Sequence, residues 1–192
     1  MKHINGLEFQ PYIGKYFGKN SNQKILLIGE SFYDYEGDKE PIHFTEEIVN
    51  KFLNKGGNKT YSTIGEMFYL NDCNKIWHEV AFANLIQRFL EEPGEKPNKQ
   101  DILIGKSAFK ILLDTLKPDK VIILSKRMWE GWIPEHNGSY LTSIDIANKH
   151  STIWKFVYKG GECLATATNH PSRIGSKQKS EWAKLMKVFL KY

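Results

Sequence analysis

The chain has 192 residues, 41% hydrophobic and 26% charged, with 27 Lys+Arg against 22 Asp+Glu for a net charge of +5. That is the size and balance of one globular domain able to bury a substantial core. No apolar run reaches the roughly 18 residues of a membrane span, and the N-terminal MKHINGLEFQPYIGKYFG lacks the apolar centre of a signal peptide, so a cytoplasmic protein is expected.

Four short apolar segments with turn signals at their ends read as buried strands: KILLIG (Lys24–Gly29), HEVAFANLI (His78–Ile86), DKVIILS (Asp119–Ser125) and ECLATATNH (Glu162–His170). Between the first two, TEEIVNKFLN predicts a helix capped by Thr45 and favoured by Glu46 and Glu47 in its first turn, and YSTIGEMFYLN follows it. NKQDILIGKSAFKILLDTLK predicts a helix from Asn98 to Lys117 that stops before Pro118. TIWKFVYKGGE reads as one extra strand with a turn at Gly160-Gly161. SKQKSEWAKLMKVFLKY closes the chain as a helix with Trp182, Leu185, Met186 and Phe189 on one face. Strands alternating with helices predict an α/β domain over residues 1–192, a three-layer αβα sandwich around a central, mostly parallel four-stranded sheet.

In such sheets ligands bind beyond the carboxyl ends of the strands. There the chain places Gly29, Glu30, Ser31, Phe32 and Tyr33 after the first strand and Asn84 at the end of the second. SKRMWEGW follows the third, and NHPSRIG, led by His170, follows the fourth. Each has an ordinary structural use: a tight turn at Gly29, a loop bridge at Asn84, a turn and helix cap at His170-Pro171-Ser172. Together they bring polar groups from three strand ends toward one crevice, as a binding site requires.

With these residues in this order the chain resembles the uracil-DNA glycosylase superfamily over roughly Lys24 to Ile174. LLIGESFY stands where that family has a strand ending in a Gly-x-x-Pro-type loop, AFANLIQRF where a strand ends in Asn, and TNHPSRIG where His-Pro-Ser follows the last strand. FLEEPGEKPNKQDI and LKPDKVIILSKRMWEGW occupy the places of two further family segments.

The resemblance implies base excision from DNA, with the base flipped into a pocket and its N-glycosidic bond hydrolysed. Asn84 then reads the edge of a uracil-like ring, and His170 donates to a carbonyl and stabilises the departing anion. Tyr33 stands where some members exclude the thymine methyl, and Phe32 replaces the usual proline, either stacking on the base or packing the loop. Pro171 and Ser172 shape a loop against the DNA backbone. Arg173, Lys177 and Lys179 follow as phosphate contacts or a solvated helix face, and Ile174 falls at the family's apolar wedge.

Two departures stand out. Ser31 occupies the place of an Asp or Asn that positions the attacking water, which leaves Glu30, or Asp34, Glu36 or Asp38, to polarise it. The subfamily with the most similar middle segment carries an iron–sulfur cluster on four cysteines. This chain has only Cys73 and Cys163, far apart and without a CxxC partner, so no cofactor and no metal is expected and both read as free buried thiols.

Two other readings stay open. The fold and pocket can persist as a nucleic-acid or nucleotide binding module without cleavage. Gly-Glu-Ser near one end and His near the other also resemble Gly-Asp-Ser hydrolases, with Ser31 as nucleophile and His170 as base. That pattern wants an Asp where Ala167 stands, and the G-x-S-x-G elbow fails at Tyr33. The mildly basic charge and 13% aromatic content suit a DNA partner and suit an ordinary core equally. The expected state is a monomer with no membrane partner.

Overall fold

The structure, a computed structural model, describes residues 3–19, 23–34, 40–92, 94–133 and 138–192. In chain order the elements are β1 (Tyr12–Ile13), β2 (Ile25–Gly29), β3 (Phe32–Tyr33), α1 (Pro41–Lys55), α2 (Lys59–Glu66), a 3-10 turn (Lys75–His78), β4 (Val80–Asn84), β5 (Phe89–Leu90), α3 (Lys99–Leu116), β6 (Lys120–Ile123), α4 (Lys126–Gly131), β7 (Gly138–Ile146), β8 (Lys149–Tyr158), β9 (Gly161–Ala167), a 3-10 turn (Pro171–Arg173) and α5 (Ser176–Phe189).

The main sheet has seven strands in the order β1-β4-β2-β6-β9-β8-β7, not the four expected. The four read from the sequence are its parallel centre, β4-β2-β6-β9. β8 is the extra strand expected from TIWKFVYKGGE and lies between β9 and β7, while the unexpected strands β1 and β7 form the two antiparallel edges. Edge strands carry weak sequence signals. β1 is two residues long, and β7 buries only Ile144 of nine, so neither makes an apolar run.

In the centre the reverse holds. Every residue of β2, β4 and β6 is buried, and alternate residues serve two separate cores. Ile25, Leu27, Val80, Phe82 and Ile122 join one core with side chains of α1, α2 and α5. Leu26, Ile28, Ala81, Ala83, Val121 and Ile123 join the other with α3 and α4. Burial on both sides is why these strands read as continuous apolar segments.

Helix ends follow local chemistry. α1 begins four residues before Thr45, because Pro41 supplies the preset φ of a first helical turn. Thr45 is fully buried inside the helix instead of capping it. α3 carries a complete capping box: Asn98 Oδ1 accepts from the Asp101 N–H at 2.9 Å, and Asp101 Oδ2 accepts from the Asn98 N–H at 2.8 Å. It ends at Lys117, whose φ of 48° turns the chain into Pro118.

Beside the main sheet, β3 and β5 form a two-stranded parallel ladder, Phe32 opposite Phe89 and Tyr33 opposite Leu90. Among the described residues no helix is long and apolar enough to cross a membrane. Cys73 and Cys163 are free thiols, and burial pushes the Cys163 thiol up to about 12.

Candidate functional site

The chain runs from β2 to its neighbour β4 on one side, and from β6 to its neighbour β9 on the other. Strand order therefore reverses between β2 and β6, the point where open α/β sheets leave a crevice beyond their carboxyl ends. The residues singled out from the sequence gather there.

Gly29 and Asn84 are register partners at the ends of β2 and β4. Their loops leave the sheet together, with Leu85 N–H donating to the Gly29 carbonyl and Ile86 N–H to the Glu30 carbonyl, both at 2.9 Å. Asn84 is 3% exposed. Its side chain lies over Gly29, where a methyl group would run into Asn84 Oδ1 and come within 3.2 Å of the Phe82 ring. Among the described residues the Asn84 carboxamide makes no hydrogen bond to the protein, and its polar atoms stay in reach of water, while its backbone carbonyl accepts from Gln87 Nε2. An amide held in this way is free to exchange water for a ligand.

Glu30 turns toward β6. Its side chain is 10% exposed, ion-paired with Arg127 and within 3.4 Å of Ser125 Oγ. Ser125 caps α4, which carries Arg127, and the Arg127 guanidinium also lies 5.5 Å from the centre of the Trp132 ring. A carboxylate after the first parallel strand is thus tied to a cation after the third.

His170 follows β9 and caps the short turn Pro171–Arg173. Its Nδ1 accepts from the Ser172 backbone N–H at 3.3 Å and lies 2.7 Å from Ser172 Oγ. An N–H can only donate, so Nδ1 carries no proton and the neutral ring holds its proton on Nε2. Burial lowers the His170 pKa most. Glu30 opposes that shift, while Arg173 and Arg127 add to it. A neutral imidazole with an Nε2–H donor results at neutral pH.

The structure reassigns several expected residues. Phe32 is buried, its ring edge-on to Phe9 and Phe44 at 5.3 and 4.9 Å. Of its two proposed uses it packs the loop and presents no face to a ligand. Ile174 is 1% exposed in the core shared with α5, so it is a core residue and not an exposed wedge. The 3-10 turn, closed by the Ile174 N–H on the Pro171 carbonyl, tucks it inward. Ser172 bonds His170 and does not cap α5, whose cap is Gly175. Lys179 is ion-paired with Glu66 of α2, which engages it away from phosphate.

Pro171 is buried, while Ser172 and Arg173 stay exposed at the mouth. Ser31 and Tyr33 are half-buried, and Phe82 is core as expected. No hydrogen bond joins Ser31 to His170 among the described residues, as nucleophile and base would require. Asp34 is half-buried, its N–H bonded to the Leu90 carbonyl. Glu36, Asp38 and the Lys177 side chain lie outside the described residues.

Sequence reasoning missed Arg127 and Gln87. Arg127 had a signal: a basic residue just past one strand, opposite an acidic residue just past its neighbour. Gln87, three residues beyond Asn84, had none. Among the described residues no group of three or more His, Cys, Asp or Glu side chains is placed to hold a metal ion. No family model matches the chain, and no curated protein matches it.

Proposed function

We propose that this chain is a DNA glycosylase of the uracil-DNA glycosylase superfamily, its sheet the middle of three layers, which removes a uracil-like base. The observation that carries the reading is the Asn84 carboxamide: on a residue only 3% exposed, without a protein hydrogen bond among the described residues, and standing over Gly29 beyond the strand ends that His170 also borders. An amide offers a donor and an acceptor in one plane, the complement of a flat heterocycle edge. A base taken out of the stack supplies such an edge.

In this reading Asn84 holds the base and His170 Nε2–H donates to a ring carbonyl. The C1′–N bond breaks with its electron pair going to the base, where the His170 donor stabilises the anion. Water adds to C1′ and releases its proton to solvent. Glu30 orients that water through the carboxylate that Arg127 keeps in place. The exposed Ser172 and Arg173 meet the DNA backbone. All these groups come from one chain, which suits a working monomer.

The test is base release from single- and double-stranded oligonucleotides carrying uracil, hypoxanthine, xanthine or alkylated bases. Asn84→Ala and His170→Ala should each abolish release while circular dichroism stays native. Near-full activity in either variant overturns the assignment. A second reading, binding without cleavage, is favoured by one observation: the Glu30 carboxylate is already engaged by Arg127 and Ser125. It predicts oligonucleotide binding that Asn84→Ala weakens, with no base released by the wild type.

A further inference from the structure

The loop that carries Asn84 is held from two sides. On one side α3 lies so close that a methyl on Gly105 would sit 2.8 Å from the Leu85 carbonyl oxygen. On the other side stands Gln87, 6% exposed, whose carboxamide makes three hydrogen bonds. Its Nε2 donates to the Asn84 carbonyl at 2.9 Å, and its Oε1 accepts from the Glu8 and Phe9 N–H groups at 3.0 and 3.2 Å. The orientation is unambiguous, because only the oxygen can accept from N–H groups and only the nitrogen can donate to a carbonyl.

The N-terminal segment on the far side of Gln87 is itself braced. Gln10 Oε1 accepts from the Ile4 N–H at 2.7 Å, and Gln10 Nε2 lies 3.0 Å from both the Ile4 and Leu7 carbonyls. This closes residues 4–10 into a compact loop with its own internal bonds. The same segment reaches the other wall of the crevice. Phe9, 1% exposed, packs edge-on against Phe32 at 5.3 Å and Phe89 at 4.9 Å, and Phe44 lies 4.9 Å from both of those rings. Phe32 belongs to the loop that bears Ser31 and Tyr33. One short segment therefore touches the Gly29–Tyr33 wall through Phe9 and the Asn84 wall through Gln87.

We propose that residues 4–10 form a positioning strap and that Gln87 is the positioning residue through which it sets Asn84 over Gly29. The functional meaning of this placement rests on the reading of Asn84 as the group that holds the base; the strap itself does not. Gln87 meets no ligand. It fixes the backbone from which the Asn84 amide projects, and a displacement of about 1 Å at such a group is enough to cost ~100-fold in rate.

The test uses the full chain in two variants. Gln87→Leu keeps the volume and removes all three hydrogen bonds. Gln87→Glu keeps the acceptor for Glu8 and Phe9 but, when ionised, has no donor for the Asn84 carbonyl. The 15N–1H side-chain pair of Asn84, assigned by its loss in Asn84→Ala, reports the position of the amide without any substrate.

In Gln87→Leu this pair should shift or broaden, and the Glu8 and Phe9 amides should exchange at least tenfold faster. In Gln87→Glu those two amides should stay protected. The Asn84 pair should be displaced at neutral pH and return toward its wild-type position as acid protonates the introduced carboxyl group. A general loss of packing gives no such reversible return. Unmoved Asn84 signals in folded Gln87→Leu overturn the proposal; if that variant does not fold, a pH-independent Asn84 pair in Gln87→Glu does so. Failure of the base-holding reading is seen separately, as uracil release or binding that Asn84→Ala leaves intact.

Discussion

Gly29→Ala puts the geometry of the crevice to a direct test. The backbone at residue 29 lies outside the positive-φ region, so alanine meets no conformational penalty there. Restricting the unfolded chain would by itself stabilise the fold by about 0.4–1 kcal/mol. The added methyl, however, points at Asn84 Oδ1 and comes within 3.2 Å of two carbons of the Phe82 ring.

That ring cannot retreat, because Trp77 and Tyr61 pack around it with centroids 5.6 and 5.8 Å away. The Asn84 carboxamide must swing instead. Overpacking of this kind costs about 1–3 kcal/mol, which, less the gain from the unfolded chain, leaves a net loss between about 0 and 2.6 kcal/mol, centred on about 1.3 kcal/mol. At that centre a chain of this size loses roughly 3–5 °C in Tm. The displaced amide should lower single-turnover uracil release by ~100-fold. Gly131→Ala, where the new methyl meets no side chain and no backbone from another element within 4 Å, should leave release unchanged and, keeping the unfolded-chain gain alone, raise Tm by roughly 1–4 °C. Wild-type Tm and wild-type release in Gly29→Ala would refute both the placement of Asn84 over Gly29 and its role.

Two further outcomes follow from the charges around the crevice. The folded-state pKa of His170 lies below its unfolded value, so between the two the unfolded chain binds more protons and stability rises with pH. The contribution of His170 is full above its ordinary pKa of about 6.5 and fades as acid approaches the lowered one. The urea-unfolding difference between wild type and His170→Gln should shrink from pH 7.5 to pH 5.5, and a difference that grows instead would contradict the neutral, half-buried ring. Arg127→Ala leaves the nearly buried Glu30 carboxylate without its cation and should cost about 1–3 kcal/mol, discounted for the half-exposed guanidinium. Adding Glu30→Gln should recover part of that loss. A double-mutant cycle that closes within ~0.3 kcal/mol would mean the pair is not coupled.

The centre of this fold was legible because burial on both sides writes a strand as a plain apolar run. KILLIG, EVAFAN and KVII declare themselves in this way, and Asn84 and His170 stood out as polar residues where such runs stop. The edges were not legible. In β7 only Ile144 is buried, and the apolar Tyr140 and Leu141 stand exposed, so the sequence GSYLTSIDI does not alternate clearly enough to be read. Thr45 passed for a cap because it precedes two acids, yet the preset φ of Pro41 starts the helix earlier. Ile174 passed for a wedge because its neighbours match a motif, and motif position carries no information on burial. Gln87 was invisible because its partners, Glu8 and Phe9, are nearly 80 residues away.

The strand order divides the sheet along the chain itself. β1, β4 and β2, with α1 to α3, are built from residues up to Leu116, and β6, β9, β8 and β7, with α4 and α5, from Lys120 onward. The crevice lies on the seam between these two contiguous pieces. Gly29, Glu30 and Asn84 belong to the first, Ser125, Arg127 and His170 to the second. Neither piece holds the candidate site alone. During synthesis the first emerges before the second, and the proposed site is complete only once the β2–β6 ladder has zipped from Ile25–Lys120 to Ile28–Ile123 and the strand leading to His170 has been laid beside it. A cut between Lys117 and Pro118 would accordingly part the chain into two fragments, each lacking half of the candidate site, and base release, on the proposed function, would report their reunion.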